Sequence, residues 1–415
     1  MKTLLILLLA CTSAIAQMPS GRSIGFGGAY DLHEWSSDVL HGNAAILAKP
    51  TRRSWRIDLP RLSAGAANNA FSISKWNDQI AQDRYLTAAD KREIIDQIPD
   101  DGLRVSGTVS VPILGGIYKQ AAFQFSEETA FNVAADKELF ELALYGNQLN
   151  RGYKIEDLGG EQYTIFDAGV AVGYKFDQNY LKGLYGGIGF HFYLGAFFDK
   201  ITDASGELQA TDSLLTGYGA IQRVHATNGD GIGFDLGLLA ELNDQWSVGA
   251  ALKQIGGSIT WVVDEATLDA FEIDSTGLIV DSLDDEDYVS LAFQSSSDAV
   301  TGGNVESKIP TILEFSGRYQ YSPKLMFVGT LRGRLEASAQ GKTGVEVSTG
   351  GEYKIAGPWV ARCGLGTGGP LRTRFSIGTG IETSHYSLDL GASWHDGFFS
   401  STRGLSFGIS HALYW

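Results

Sequence analysis

Two cysteines in 415 residues are too few for a disulfide framework or a cysteine-rich metal site. Basic residues are also short: 32 Lys+Arg stand against 48 Asp+Glu, a net charge of −16. A nucleic-acid-binding face needs cations to displace condensed counterions, so no nucleic-acid partner is expected. Charged residues of both signs reach only 19%, and proline only nine. A disordered chain has the opposite balance, and here 44% of residues are hydrophobic. No stretch beyond the N-terminal leader approaches the roughly 20 apolar residues of a membrane-spanning helix. What is abundant is glycine, 52 residues against an ordinary share of about 7%. Aromatics are abundant too, with 8 Trp, 17 Tyr and 21 Phe. Much glycine, many aromatics and little charge favour one large all-β domain over several soluble ones.

The first residues, MKTLLILLLACTSAIAQ, read as an export signal over 1–16. Lys2 is the positive end, Leu4 to Ala10 the apolar stretch, and Ala14-Ile15-Ala16 an A-x-A cleavage site that leaves Gln17 first. A rival reading takes Leu8-Leu9-Ala10-Cys11 as a lipidation signal. Cleavage after Ala16 would leave Cys363 as the only thiol.

Beyond the leader, apolar residues alternate with small polar ones at the period of a strand. Residues 166–176 set Phe166, Ala168, Val170, Val172, Tyr174 and Phe176 against Asp167, Gly169, Ala171, Gly173 and Lys175. Residues 184–198 align Leu184, Ile188, Phe190, Phe192, Leu194, Ala196 and Phe198 opposite His191, Tyr193 and glycines. Segments 232–242, 246–252 and 386–394 repeat the pattern. Such strands exceed the ordinary soluble length of about 5–6 residues. Their second face is small and polar, where a soluble sandwich would show Lys and Glu to water. The expectation is a single transmembrane antiparallel β-barrel of about 14 strands, apolar outside and polar inside. A secreted soluble β-sandwich is the alternative fold. Residues 51–415 form the barrel, and glycine-rich 17–50 precede it as an N-terminal segment. Residues 87–98, opening on Thr87 and Asp90 as a capping box, and 136–149 read as short loop helices. Residues 264–307 hold 12 acids and no Lys or Arg and read as a long anionic loop. The chain ends with Leu405, Phe407, Ile409, Leu413 and Trp415 on one face, interrupted by His411. A terminal aromatic after alternating apolar residues resembles the signal read by the bacterial barrel-assembly machinery, and Phe407, Ile409, Leu413 and Trp415 are its candidates. Localisation in the bacterial outer membrane follows, with outer-membrane lipid as the surrounding partner.

The stretch Gly25-Phe26-Gly27-Gly28-Ala29-Tyr30, then Gly42-Asn43-Ala44-Ala45-Ile46-Leu47-Ala48, resembles the N-terminal segment of the FadL-like outer-membrane superfamily. Ala44 and Ile46 depart from its usual Asn-Pro-Ala-Gly-Leu turn. Leu59-Pro60, Asn68-Asn69-Ala70-Phe71 and Leu139-Phe140-Glu141-Leu142 look similar to an uncharacterised Bacteroidetes-type family within it. The resemblance implies a 14-stranded barrel with residues 17–50 folded into the lumen as a hatch. It implies either passage of a small hydrophobic molecule across the outer membrane or a PorV-like scaffold for secreted or surface proteins. A lumen blocked by the hatch with no lateral gap would favour the scaffold.

Catalytic motifs are weak, and no enzyme activity and no cofactor are expected. Gly404-Leu405-Ser406-Phe407-Gly408 matches G-x-S-x-G but lies within a strand, where a nucleophile elbow needs a strand-to-helix turn. His395, Asp396 and a nearby serine would mark a rim enzyme. The seven histidines show no metal-ligand spacing, and Asp284-Asp285-Glu286-Asp287 lacks the calcium-loop pattern.

The sharpest candidates are charges on the polar faces near the C-terminus: Glu314, Arg318, Arg332, Arg334, Glu346, Glu352, Arg362 and Arg374. Against lipid an Arg costs about 2–4 kcal/mol at the midplane, so these residues line the lumen. Two roles are open to them, an ion-pair ladder holding barrel and hatch or a polar constriction that selects solutes. Phe315→Arg should therefore prevent membrane assembly while Arg332→Ala leaves the barrel folded, read by the gel shift on boiling. Equal assembly of the two would mean that the faces are inverted.

Overall fold

The computed structural model describes residues 20–415 except 81–84, 212–213, 280–292, 301, 340–342 and 370–371. The signal region with Ala14, Ala16 and Gln17, the alternative Cys11 site, and the acidic run 284–287 lie outside the described residues.

Fourteen antiparallel strands close on themselves. The first, β1, is Trp55–Asp58 continued by Leu62–Asn68. Then come β2 (Leu103–Tyr118), β3 (Ala121–Ala135) and β4 (Arg151–Ile155 with Gly159–Phe176). Three long strands follow: β5 (Gly183–Ala210), β6 (Leu214–Ala226 with Asn228–Glu241) and β7 (Trp246–Val262 with Glu265–Ile279). Three pieces make β8: Phe293–Ala299, Asn304–Lys308 and Ile312–Ser322. The circuit ends with β9 (Leu325–Arg334), β10 (Gly344–Ala356), β11 (Trp359–Gly368), β12 (Arg374–Glu382), β13 (Tyr386–His395) and β14 (Gly404–Tyr414). Closure is made by β14 on β1, with Leu413 opposite Ile57 and Phe407 opposite Ala64. A closed barrel leaves no edge and no second sheet, which removes the sandwich alternative.

The two ends differ. Hairpins such as Lys119–Gln120, Pro323–Lys324 and Gly357–Pro358 join strands at the end that also holds Trp55 and Trp415. Longer connections stand at the other. The break in β1 falls at Pro60, which has no N–H for the ladder. Leu59 N and Arg61 N still donate to His411 O and Pro112 O across it, so the wall stays joined.

Outward side chains are apolar, with Val172, Ile188, Phe234, Leu238, Phe315 and Phe407 all exposed. Aromatics gather at the short-turn end, where Trp55 packs on Tyr118 at 4.3 Å and Trp246 stacks on Tyr319 at 4.5 Å. This is the girdle of a membrane barrel. Phe198 departs from the expected outward face: it is fully buried and stacks on Trp261 at 4.9 Å. The β4–β5 register slips between Thr164 and Ile165, skipping Ala196, and one extra residue reverses the facing of everything beyond it. Residues 264–307 are also not simply a loop. Much of that stretch continues β7 and β8 upward, with Glu265–Ile279 paired to β6 and Phe293–Ala299 paired back to β7.

At the long-loop end, α2 (Ala88–Gln97) and α3 (Lys137–Tyr145) pack Ile94, Ile95, Ile98 and Phe140 against Phe71 and Leu103. Thr87 caps α2, accepting from Asp90 N while its own N–H donates to Asp90 Oδ2 at 2.9 Å.

Residues 20–50 lie inside the barrel, buried along nearly their whole length. They comprise α1 (Gly21–Gly25) and 3₁₀ turns at Ser37–Leu40 and Ala44–Ala48. The wall meets them with glycine. A Cβ on Gly364 would lie 2.1 Å from Phe26 C, and one on Gly187 2.2 Å from Ala44 C. Gly364→Val should therefore loosen the hatch by about 1–3 kcal/mol, the usual cost of overpacking, with the barrel still closed. Limited proteolysis should then cut within 20–50 while the boiling shift persists. Gly317→Val, where a Cβ meets nothing within 4 Å, serves as the control.

Candidate functional site

Backbone N–H and C=O groups buried with the hatch need hydrogen-bond partners, and the wall supplies several of them. Asn43 does this with one side chain: its Nδ2 donates to Leu238 O (2.9 Å) and Ala250 O (3.2 Å), and its Oδ1 accepts from Ala45 N (3.0 Å). Tyr30 N donates to Thr330 Oγ1 (2.9 Å), Arg374 Nε to Gly27 O (2.6 Å), and Lys253 Nζ to His41 O (2.9 Å). Hatch contacts thus reach β6, β7, β9 and β12, on widely separated arcs of the wall.

Charge holds the rest. Seven of the eight sequence candidates fall into two networks. In the first, Glu314, only 2% exposed, accepts from Lys253 Nζ (3.0 Å) and Arg332 (2.8 Å). Arg332 reaches on to Glu346 (3.2 Å), which also pairs with Arg374. Arg334 lies beyond, at the long-loop end of β9. The second network centres on Arg22 of α1. Arg22 pairs with Asp31 (2.9 Å), Glu352 (2.9 Å) and Glu382 (2.5 Å). Arg362 joins Glu352 (2.7 Å) to Asp389 (2.6 Å), and Arg318 holds Asp31 from the other side (3.1 Å). A third cluster was not anticipated: Asp38 with Arg61, and Asp58 with Arg56 (2.7 Å) and Ser37 N (2.8 Å). Only Arg56 and Asp58, two apart in a strand, carry a sequence signal, the shared inner face. Also missed was His191, fully buried between Asp167 (2.9 Å) and Asp235 (3.1 Å) with the His41 ring at 5.9 Å. All three wall residues occupy the polar face of their strands; only the register Asp167–Tyr193 and Gly189–Asp235 brings them level.

Burial tunes the hatch groups. It drives His33 down to about 3 and His41 to about 4, so both are neutral. Burial, reinforced by neighbouring Asp38, pushes Glu34 up to about 8. For Asp31 burial acts upward, but Arg318 and Arg22 outweigh it and hold the carboxylate ionised.

His395 and Ser406 do meet: Nε2 and Oγ are 2.8 Å apart, both groups buried. Asp396 turns instead to Thr373 N (3.1 Å) and Arg372 (3.2 Å), so no carboxylate from that residue orients the imidazole. Ser406 sits in mid-β14 opposite Gly65 and Ser393, without the strained turn a nucleophile needs. Among the described residues no group of three or more His, Cys, Asp or Glu could hold a metal ion. The insertion-signal candidates Phe407, Ile409, Leu413 and Trp415 all point outward, exposed.

Residues 48–219 and 220–352 match DUF5723, a family of unknown function. The chain belongs to that family. No curated protein matches it. Among solved structures, this DUF5723 member is similar to the toluene transporter TodX of Pseudomonas putida, at 12% identity over 94% of this chain and 96% of that one, TM-score 0.53. It is also similar to the Ralstonia pickettii toluene transporter TbuX (13%, 95% and 97%, TM-score 0.49) and to a Pseudomonas aeruginosa FadL homologue (12%, 97% and 98%, TM-score 0.48). The likeness to TodX identifies the fold as the FadL-type barrel.

Docking of the hatch should depend on pH with two limbs. Free Glu34 would titrate near 4.5, so the docked form binds the extra proton up to about 8, and docking weakens as pH rises through that window. His33 and His41 act oppositely: they are neutral when docked, so docking strengthens as pH rises from about 4 to about 6.5. Hydrogen exchange of hatch amides, corrected for intrinsic rates, should peak in protection near neutrality. Glu34→Gln should flatten the limb above about 6.5 and steepen the rise between about 4.5 and 6.5, and an unchanged alkaline limb would remove Glu34 from the account.

Proposed function

We propose that this DUF5723 protein is an outer-membrane barrel that passes a small hydrophobic molecule, with the hatch as the moving part. The observation that carries the reading is the apolar layer inside the barrel toward the long-loop end. Tyr163, Tyr193, Phe198 and Trp261 are buried there with Val224, Ile259 and Ile309. A pore for ions or sugars keeps a polar, water-filled interior; an aromatic layer offers apolar ligands a place to leave water. The FadL-type fold, shared with a protein whose name is toluene transporter, supports the same direction. The short-turn end would face the periplasm and the long strands of β5–β8 the exterior. Phe407, Ile409, Leu413 and Trp415 would be read by the assembly machinery and then meet lipid.

A second reading, a scaffold for secreted or surface proteins, draws on a specific observation too. The hatch is tied to the wall by buried ion pairs on several sides, and neighbouring strands stay hydrogen-bonded around the circuit.

A reversible lock separates the two. A Cβ on Gly115 of β2 would stand 2.9 Å from the Cβ of hatch residue Ser37, and its other near neighbours are the Ser37 hydroxyl and Asp58 Cβ rather than backbone, so a small adjustment reaches the 3.5–4.5 Å of a disulfide. In a Cys363→Ser background, Ser37→Cys with Gly115→Cys should abolish uptake of the hydrophobic dye N-phenyl-1-naphthylamine into proteoliposomes when oxidised. Reductant should restore it. Equal uptake in the two states would exclude a hatch-gated path, and no uptake above empty liposomes in either state would favour the scaffold.

A further inference from the structure

The short-turn mouth opens on a chamber of about 360 Å³ between the hatch and β8–β14, the size of a small-ligand pocket. Its lining inverts the charge of the protein. Seven cationic and five anionic side chains surround it, in a chain whose net charge is −16. Moreover, the anions are already engaged. Asp31 lies between Arg22 and Arg318, Glu352 between Arg22 and Arg362, Glu382 against Arg22, and Asp389 against Arg362. The fifth, Glu34, is held toward its protonated form by burial and by Asp38, and its Oε2 stands 4.0 Å from Arg22 Nε, beyond hydrogen-bond reach.

The cations at the opening are not so engaged. Arg53, Lys324 and Lys354 form no ion pair within 4 Å among the described residues, although Lys354 acts on Glu382 from further off. They come from three places in the chain and are brought to one rim. Lys354 N donates to Lys324 O at 2.8 Å, which sets Lys354, near the end of β10, beside the Pro323–Lys324 turn. Arg53 lies over the Tyr414 ring at 3.5 Å, which fixes its guanidinium at the mouth with its N–H edge free for a ligand. Deeper in, two buried donors of lining residues, Arg22 Nε and Trp35 Nε1, have no hydrogen-bond acceptor. Buried donors are ordinarily satisfied. A chamber that offers donors and an excess of positive charge, and whose carboxylates Asp31, Glu352, Glu382 and Asp389 are already ion-paired, calls for a ligand that brings acceptors and negative charge.

We propose that this chamber is a binding site for a phosphate-type oxyanion, held at its rim by Arg53, Lys324 and Lys354. Guanidinium and ammonium groups converge on phosphate with charge-assisted hydrogen bonds. The oxyanion has two possible sources, a soluble phosphorylated molecule and the headgroup of an anionic phospholipid in the facing leaflet. The site does not depend on hydrophobic passage, since it lies on the opposite side of the hatch from the aromatic layer and is tested by binding alone.

The test uses the full-length processed protein in non-ionic detergent, titrated calorimetrically with pyrophosphate. Saturable binding at one site per chain is expected, weakening as salt rises. Lys324→Gln with Lys354→Gln should raise Kd by about tenfold or more, and Arg53→Gln should act in the same direction. Lys175→Gln, an exposed lysine outside the lining, should leave Kd unchanged. The boiling shift verifies that each variant is folded. No saturable binding by the parent, or equal binding by the double variant, would overturn the site. The source is then read in nanodiscs. Loss of pyrophosphate binding in phosphatidylglycerol but not phosphatidylcholine assigns the headgroup, and binding retained in both assigns the soluble anion.

Discussion

The placement of one arginine governs much of this structure. Arg22 sits on the five-residue helix α1 in the middle of a closed barrel and is nearly removed from water. A buried guanidinium without partners is prohibitive, and removing one partner of such a pair commonly costs about 3–5 kcal/mol. The barrel supplies Glu352 from β10 and Glu382 from β12, while the hatch supplies Asp31. The dependence runs in both directions. With the hatch absent, Glu352 and Glu382 would retain only Arg362 among these partners. Hatch and wall are therefore electrostatically incomplete apart, which gives the hatch a single seat rather than many.

Steric fit makes that seat possible. Salt bridges need atoms within about 4 Å, and a wall bearing ordinary side chains would hold the hatch backbone too far away. Glycine at Gly187 and Gly364 lets Ala44 and Phe26 lie directly on the strands. The high glycine content of the chain thus has two uses, turns at strand ends and flat patches on the inner wall. Any movement of the hatch must break both the close contact and the ion pairs, so opening is a concerted step rather than a gradual one. That constraint bears equally on a transporter, which has to open, and a scaffold, which does not.

The lumen is also layered along its axis. An aromatic layer toward the long-loop end, the hatch with its buried charges, and a cationic chamber at the short-turn mouth follow one another. The layers are chemically opposed: one favours apolar groups, the other anionic ones. A molecule crossing the barrel would meet them in sequence, and the two ends would select for different chemistry.

Much of the fold was legible in the sequence because alternation in a barrel is imposed by lipid on one side and a filled lumen on the other. Residues 166–176 and 232–242 show it plainly, and with the resemblance at 25–30 and 42–48 they led to the strand number and the FadL-type fold. The same period-two rule placed Glu314, Arg332 and Arg374 on a polar face. It failed at Phe198, where a bulge adds one residue without any compositional mark, and in 264–307, where acidity obscured the continuation of β7 and β8. The sequence by itself determined which face of a strand is apolar and outward wherever the alternation runs unbroken, since between bulges that depends only on parity. Only the tertiary structure decided that Glu352 waits for Arg22, that His191 lies between Asp167 and Asp235, and that Arg53, Lys324 and Lys354 line one chamber. Those meetings depend on strand register and on the path of the hatch, and parity carries no information about which residue of a neighbouring strand stands level.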